Sequence, residues 1–368
     1  MPRTNKYRKL LAPLGIFYRM AVALRNNLYD WGVLKSNRYD VPVISIGNIT
    51  VGGTGKTPHT EYLIRLLRKD YKIAVISRGY KRKTKKLVLA TPQSTAGEVG
   101  DEPLQIKRKF PDVIVVADGN RRRAIEFLTR EMPTEERPNI ILLDDAFQHR
   151  RVTPTLSILL IDSNRLIYED RLLPAGNLRE PIHSKARANI VIVTKCSEKL
   201  KPIDYRLITK NLDLYPYQTL FFTAHKYGDL KPVFGDAGLS DIPLPNIKNY
   251  DDILLVTGIA TPEFLQKRMN KLSKRVTSIS FPDHHIFKDR ELKQIEEAFD
   301  RMEGEKRLIV VTEKDAMRLT DHKGISENLK SHLYYIPIEI DFTQNRVALF
   351  EKKIRDHISN LRGDKILI

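Results

Sequence analysis

Cysteine is almost missing from this chain: Cys196 stands alone among 368 residues. One thiol closes no disulfide framework and builds no cysteine-based metal site, and it fits a reducing compartment. Long apolar runs are missing as well. No stretch reaches the roughly 18–20 consecutive apolar residues of a spanning helix, and the first residues do not have the layout of a cleavable signal. There is no internal repeat and no low-complexity tract, which excludes a repeat architecture. Negative charge is in short supply, with 45 Asp and Glu against 63 Lys and Arg and a formal net charge of +18. That excess points to an anionic partner (nucleic acid, an anionic membrane face or a phosphorylated substrate) or to a generic basic surface. The 41% of hydrophobic residues suits a globular chain. At this length two cores are the better expectation than one.

The stretch that organises the chain runs from Val41 to Pro58. Val41–Ile46 is a short β-branched apolar run and reads as a strand. Asn48-Ile49-Thr50-Val51-Gly52-Gly53-Thr54-Gly55-Lys56-Thr57 follows, and then apolar residues at helical spacing from His59 to Leu67. Strand, glycine-rich loop, Gly-Lys-Thr and helix make a phosphate-binding P-loop. Gly52, Gly53 and Gly55 allow positive φ and close approach of backbone N–H groups to an anion, and the helix N-terminus adds partial positive charge. Lys56 reaches β/γ-phosphates and the Thr57 hydroxyl can ligate Mg²⁺. Thr50 occupies the position where the usual pattern has its first glycine. An accidental lysine in a tight strand-to-helix turn is the plain alternative.

Ahead of this loop, Leu10, Leu14, Phe17, Ala21, Leu24 and Leu28 recur at spacings of three and four. Arg3, Lys6, Arg8, Lys9, Arg19 and Arg25 surround them, with Tyr18, Tyr29 and Trp31 close by. This predicts a basic amphipathic helix within residues 1–35, either lying on a membrane or packed on the domain.

Downstream, strands are expected at Lys72–Ser77, Val113–Ala117, Asn139–Leu143, Leu156–Asp162 and Asn189–Lys195. The basic loop Arg78–Lys83 follows the first of these, where open α/β sheets bind ligands. Gly97-Glu98-Val99-Gly100-Asp101-Glu102-Pro103 opens a helix. Asp144-Asp145 ends an apolar strand, as P-loop enzymes place the carboxylate for Mg²⁺; Asp162 is a rival. Thr194-Lys195 hints at a guanine reader, but Ser197 stands where Asp is needed. From about Lys199 to Pro245 the pattern loosens, so a P-loop domain over 36–215 and a smaller α/β domain over 216–368 are expected, with the last helix free to pack back on the first. In the second, strands Asp252–Val256, Val276–Phe281 and Arg307–Val311 precede Thr257-Gly258, Pro282-Asp283-His284-His285 and Thr312-Glu313-Lys314-Asp315.

Taken in order, seven motifs closely resemble those of tetraacyldisaccharide 4′-kinase, the lipid A 4′-kinase family of Gram-negative bacteria. They are Gly47–Pro58, Arg78-Gly79-Tyr80, Gly100–Pro103, Asp144–His149, Leu173–Pro181, Phe281–His285 and Thr312–Asp315. They span about residues 41–315, and the Thr50 departure fits, because this family's loop looks like Thr/Ser-Val-Gly-Gly-x-Gly-Lys-Thr. The resemblance implies an α/β fold: a P-loop NTPase-type, mostly parallel sheet flanked by helices, with a second, smaller α/β domain. It implies ATP and Mg²⁺, γ-phosphoryl transfer to the 4′-hydroxyl of an acylated glucosamine disaccharide 1-phosphate, and peripheral attachment to the cytoplasmic face of the inner membrane, an anionic surface.

As site residues it implies Lys56 and the loop Thr50, Val51, Gly52, Gly53, Thr54, Gly55 and Thr57 for the phosphates. Thr57 with Asp144 or Asp145, aided by Glu102, would hold the metal. Asp101, assisted by His284, would accept the hydroxyl proton; Asp283 or His285 could share that role, and helix N-capping is the bland reading of Asp101-Glu102. Arg78, Arg121 and Arg179 are the cationic candidates for phosphate, with Gln148, His149 and Glu180 lining the site. Two other classes predict differently. A nucleic-acid-binding P-loop ATPase needs a basic groove with interleaved aromatics, which the sequence lacks, so no nucleic acid is expected. A membrane-associated nucleotide sensor would bind ATP without phosphorylating a glycolipid.

Overall fold

The computed structural model describes residues 12–80, 82–197, 199–235, 238–283, 285–322 and 324–363. Its centre is a nine-stranded sheet in the order β14-β8-β7-β6-β1-β5-β2-β4-β3. The strands are β1 Val43–Gly47, β2 Ile73–Ser77, β3 Val88–Leu89, β4 Ile114–Ala117, β5 Ile140–Asp144, β6 Leu156–Asp162, β7 Ile190–Thr194, β8 Thr219–Tyr227 and β14 Ile338–Phe342. All neighbours are parallel except the two edges, where β3 runs against β4 and β14 against β8. A parallel sheet is covered on both faces, so its strands read as continuous apolar runs. β5 does so and is buried throughout. Each expected strand is present within one or two residues.

The sequence did not reveal β14, β3 or the strand next to β14. β8, Thr219–Tyr227, lies in the loosened stretch, and its mixture of Thr, Ala, His, Lys and aromatics masks its period. The chain therefore continues in the first sheet past residue 215. After Tyr227 it crosses to a second sheet, β11-β10-β12-β13-β9. This contains β9 Lys231–Pro232, β10 Asp252–Thr257, β11 Val276–Ser280, β12 Arg307–Thr312 and β13 Leu333–Ile336, all parallel but β9. The chain returns as β14, and the Gly228 N–H donates to the Pro337 carbonyl at 3.0 Å where the two crossings meet.

Each sheet has its own core. In the first, Ile44, Ile46, Leu63, Ile64, Leu142 and Ile158 pack on the face covered by helix Lys56–Leu67, and the last helix, Val347–Gly363, adds Phe350, Ile354 and Ile358. In the second, Leu254, Val256, Ile309 and Val311 pack under Leu292, Ile295 and Phe299. The N-terminal helix spans Ala12–Asp30. Of its expected apolar line, Leu10 lies outside the described residues, as do Arg3, Lys6, Arg8 and Lys9, while Phe17 and Leu24 face outward with Ile16 and Met20. Tyr18, Arg25 and Asn26 make the inward contacts: the Tyr18 hydroxyl donates to the Arg179 carbonyl at 2.9 Å, and Arg25 Nη2 to the Gln148 carbonyl at 2.7 Å. Among the described residues no helix is long and apolar enough to cross a membrane.

The return of the last helix rests on an aromatic cluster, with Phe350 packed 5.2 Å from Phe221 and 4.5 Å from Phe342, centroid to centroid. Phe350→Ala is expected to cost about 3–5 kcal/mol in urea unfolding followed by tryptophan-independent circular dichroism. A loss below about 1 kcal/mol would mean that the helix is dispensable to this core.

Candidate active site

The P-loop is held from three sides. Gly52 and Gly55 adopt positive φ, 96° and 83°; Gly53 does not. Gly55 is the N-cap of helix Lys56–Leu67, which therefore starts on the Gly-Lys-Thr itself. Inside the loop, Asn48 is fully buried and its Nδ2 donates to Thr54 Oγ1 at 2.8 Å. On one side, the Leu173–Pro181 loop zips against it: the Val51 N–H donates to the Asn177 carbonyl at 2.8 Å, the Arg179 N–H to the Ile49 carbonyl at 2.7 Å, and Thr50 bridges Leu178. On the other, the end of β7 ties down loop carbonyls, with Thr194 Oγ1 donating to Thr54 at 2.9 Å and Lys195 Nζ to Gly53. From below, Gln148 Nε2 donates to the Asn48 carbonyl at 2.7 Å.

The carboxylates gather at the end of β5. Asp144 is fully buried; Ser77 Oγ donates to its Oδ2 at 3.2 Å and Thr60 Oγ1 to its Oδ1 at 3.4 Å. Burial, then the charges of Glu102 and Asp145, push its pKa up to about 7 against the pull of Lys56. Asp145 sits in left-handed backbone, φ 47°. Its Oδ1 lies 3.7 Å from Lys56 Nζ and its Oδ2 3.6 Å from Arg179 Nη1. That Oδ1 is buried with no hydrogen-bond donor. Arg121 is buried beneath the pair and donates from Nη2 to the Asp144 carbonyl at 3.1 Å. Burial lowers its pKa, the two aspartates oppose this, and the charge of Arg78, itself on an exposed loop, adds to the lowering. The structure thus brings Lys56, Asp144, Asp145, Arg121 and Arg179 together. It sends Asp162 elsewhere: that carboxylate accepts from Lys195 Nζ at 2.8 Å and from Asn164.

Asp101 and Glu102 open helix Asp101–Lys109, but Gly100 is the N-cap residue and no side chain caps it. Their side chains meet the second sheet's unit instead. Arg318 donates to Asp101 Oδ2 from Nη2 at 2.6 Å and from Nε at 2.9 Å, and Lys314 Nζ donates to Glu102 Oε1 at 2.5 Å. Asp283 is close enough for its charge to raise the Lys314 pKa alongside Glu102, against burial. His284 lies outside the described residues. His285 stacks on Phe281 at 4.7 Å and stands 3.9 Å from Glu291.

The remaining expected residues divide. Glu180 pairs with Arg187, whose guanidinium lies over the Phe147 ring, so it braces the loop that carries Arg179. His149 is driven down to about 4 by burial and by Arg121 and Arg151, and is neutral at pH 7. It faces a cavity of about 330 Å³ lined also by Ser45, Phe147, Arg150, Ser157 and Arg187. Several residues at the loop escaped sequence reasoning. Arg165 comes so near Gly52 that a Cβ there would stand 2.9 Å from its Nη2. His59, fully buried and pushed down to about 4 by that burial, contacts the Gly55 carbonyl at 2.7 Å and Thr223 Oγ1 at 3.1 Å. For Lys195, the failed guanine-reader motif was the available signal.

The comparisons with known proteins agree with one another. The profile of the family described as tetraacyldisaccharide-1-P 4′-kinase matches residues 7–358. The tetraacyldisaccharide 4′-kinase of Parabacteroides distasonis is 49% identical over 96% of both chains. That of Bacteroides thetaiotaomicron is 51% identical, covering 96% of this chain and 94% of its own. Among solved structures, LpxK from Aquifex aeolicus in complex with ATP superposes with a TM-score of 0.71 at 27% identity, over 96% of this chain and 99% of the other.

The raised Asp144 pKa fixes a sign. Between about pH 4 and 7 the folded protein holds a proton that the unfolded chain has released. Stability from this group is therefore present at low pH and lost as pH rises through about 7. In magnesium-free thermal unfolding from pH 4 to 8, wild type should lose stability relative to Asp144→Asn as pH rises. Glu313, also raised to about 7, titrates in both proteins and cancels. Parallel curves would show that Asp144 is ionised throughout.

Proposed function

The chain belongs to the tetraacyldisaccharide-1-P 4′-kinase family, and we propose that the work of its reaction is divided between its two sheets. The reaction moves the γ-phosphoryl group of ATP to the 4′-hydroxyl of an acylated glucosamine disaccharide 1-phosphate. Strands β1–β8 with β14 and the last helix form the nucleotide unit; β9–β13 form the smaller unit that completes the site.

The observation that supports the nucleotide unit's share is Asp145. It joins Lys56 of the P-loop to Arg179 of a loop more than a hundred residues away, at 3.7 and 3.6 Å. Phosphoryl transfer requires positioning and charge neutralisation more than covalent chemistry. The amides of Thr50–Thr57 and Lys56 hold the β- and γ-phosphates. Arg179 faces the transferred group; Arg121 supports the aspartates from beneath, and Arg78 is placed to meet substrate phosphate. Asp101, with His284, takes the hydroxyl proton as the sugar oxygen attacks phosphorus and the bond to ADP breaks. Gln148 holds the loop, and Glu180 and His149 shape its surroundings.

Mg²⁺ suits the donors present. Thr57, Asp144 and Asp145 offer hard oxygens, and Asp145 Oδ1 is buried without a donor. Among the described residues no three carboxylate, histidine or cysteine side chains converge on one point. That matches an ion held by one or two carboxylates and completed by phosphate and water. Glu102 would stand next to it. When bound, the ion neutralises charge developing on the β/γ-phosphates.

We further assign the outward face of helix Ala12–Asp30 to the anionic cytoplasmic surface of the inner membrane. Ile16, Phe17, Met20 and Leu24 are 57–71% exposed on it, with Arg19 for headgroups.

Labelled γ-phosphate transfer to a tetraacyldisaccharide 1-phosphate in detergent micelles tests the chemistry. Wild type should form product, and Asp101→Ala and Lys56→Ala should each lose about 10²-fold or more. Equal rates from wild type and Asp101→Ala would discard Asp101 as the proton acceptor, and absence of product from folded, ATP-binding wild type would overturn transfer to this acceptor and send the basic surface to nucleic-acid-stimulated ATPase assays. Phe17→Ser with Met20→Ser should reduce co-sedimentation with anionic vesicles by about tenfold; unchanged binding would remove the helix from the membrane.

A further inference from the structure

We propose that Arg318 is a positioning residue for the proton-accepting carboxylate: it fixes the plane of Asp101 from the second sheet's unit. The proposal rests on the reading of Asp101 as the proton acceptor.

The guanidinium is anchored before it reaches Asp101. Its Nη1 donates to Asp315 Oδ1 at 2.7 Å and to the Gly258 carbonyl at 3.2 Å. Asp315, fully buried, is itself held: its Oδ2 accepts from the Gly258 N–H at 2.8 Å and from Thr312 Oγ1 at 2.6 Å. Thr312 is the N-cap of helix Glu313–Leu319, and Asp315 and Arg318 follow at intervals of three, so one face of that helix carries the whole relay. The other edge of the guanidinium, Nε and Nη2, then closes on a single oxygen, Asp101 Oδ2.

Two donors on one carboxylate oxygen hold it in place, and fixing one oxygen of a planar group sets the direction of the other. The same helix presents Lys314 to Glu102. One element of the second unit therefore addresses two successive carboxylates of the first, and alignment of the acceptor depends on the docking of that helix. An ion pair serving stability alone would account for the contact too, but it would not require that losing Arg318 act through Asp101.

The test uses full-length protein in the micellar transfer assay, with Arg318→Gln, Arg318→Lys, Asp101→Ala and the double variant Asp101→Ala/Arg318→Gln. Lysine keeps the charge but not the fork. Arg318→Gln should lower kcat by about 10²-fold with KM for ATP within about threefold, and Arg318→Lys should recover part of the loss. On the Asp101→Ala background, Arg318→Gln should cost almost nothing more, because the two act as a unit. Equal losses on both backgrounds, or a raised KM with kcat intact, would overturn the proposal. If Arg318→Gln does not fold, Arg318→Lys decides: a drop in kcat seen only with Asp101 present supports it, and wild-type kcat overturns it. If Asp101→Ala itself retains wild-type kcat, the reading beneath the proposal has failed, and the Arg318 variants are not needed to see it.

Discussion

The arrangement around the P-loop depends on balancing the charge of Asp101, Glu102, Asp144 and Asp145. Asp144 and Asp145 end β5 with the charge of Glu102 acting on Asp144, and Asp101 stands next to Glu102 in the chain. Burial first, and then the like charges of Glu102 and Asp145, raise Asp144 to about 7. The molecule answers with cations from every side: Lys56 from the P-loop, Arg179 from the Leu173–Pro181 loop, Arg121 from beneath the sheet, Lys314 and Arg318 from the second unit. Lys56, Arg179, Lys314 and Arg318 each face a particular carboxylate oxygen, and Arg121 donates to the Asp144 main-chain carbonyl, so the balance is geometric as well as numerical.

That balance explains why the loops are so heavily tied. The P-loop is bonded through its backbone to Asn177 and Ile49–Arg179, through its carbonyls to Thr194 and Lys195, and through Asn48 to Gln148. A cation held 1 Å out of place would leave a carboxylate unbalanced, and orientation errors of that size cost large factors in rate. Left-handed backbone at Asp145 belongs to the same economy of placement: it turns the carboxylate that follows a buried strand toward Lys56. The N-terminal helix is part of this frame on its inner side, through Tyr18 and Arg25, while its apolar residues are left outside.

Legibility in the sequence followed distance along the chain. The P-loop could be read because strand, glycines, lysine and helix lie within one short stretch and their spacing carries the chemistry. Asp144-Asp145 was legible for the same reason, an apolar strand ending in acid. Long-range partners were not. Lys195 holds a loop carbonyl 142 positions away, and Arg318 meets Asp101 across 217. Glu180 was placed by its neighbour Arg179, but alternate side chains leave a loop in different directions, and it turned to Arg187. Strand β8 was hidden because its mixed residues break the apolar run that the central parallel strands show, and its outer neighbour β14 comes from more than a hundred residues further along the chain.

The sequence by itself determined the elements: a buried parallel sheet, a phosphate loop, the acids that follow β5, and a family resemblance spread over most of the chain. These are local properties, set by periodicity, glycine placement and residue chemistry within a few turns of backbone. Only the tertiary structure decided which charges face which. Asp101 became a partner of Arg318 rather than a helix cap, and Asp162 a partner of Lys195 rather than a site carboxylate. The reason is physical: Coulomb and hydrogen-bond energies depend on separations of a few ångströms, and folding alone brings residues hundreds of positions apart to that range.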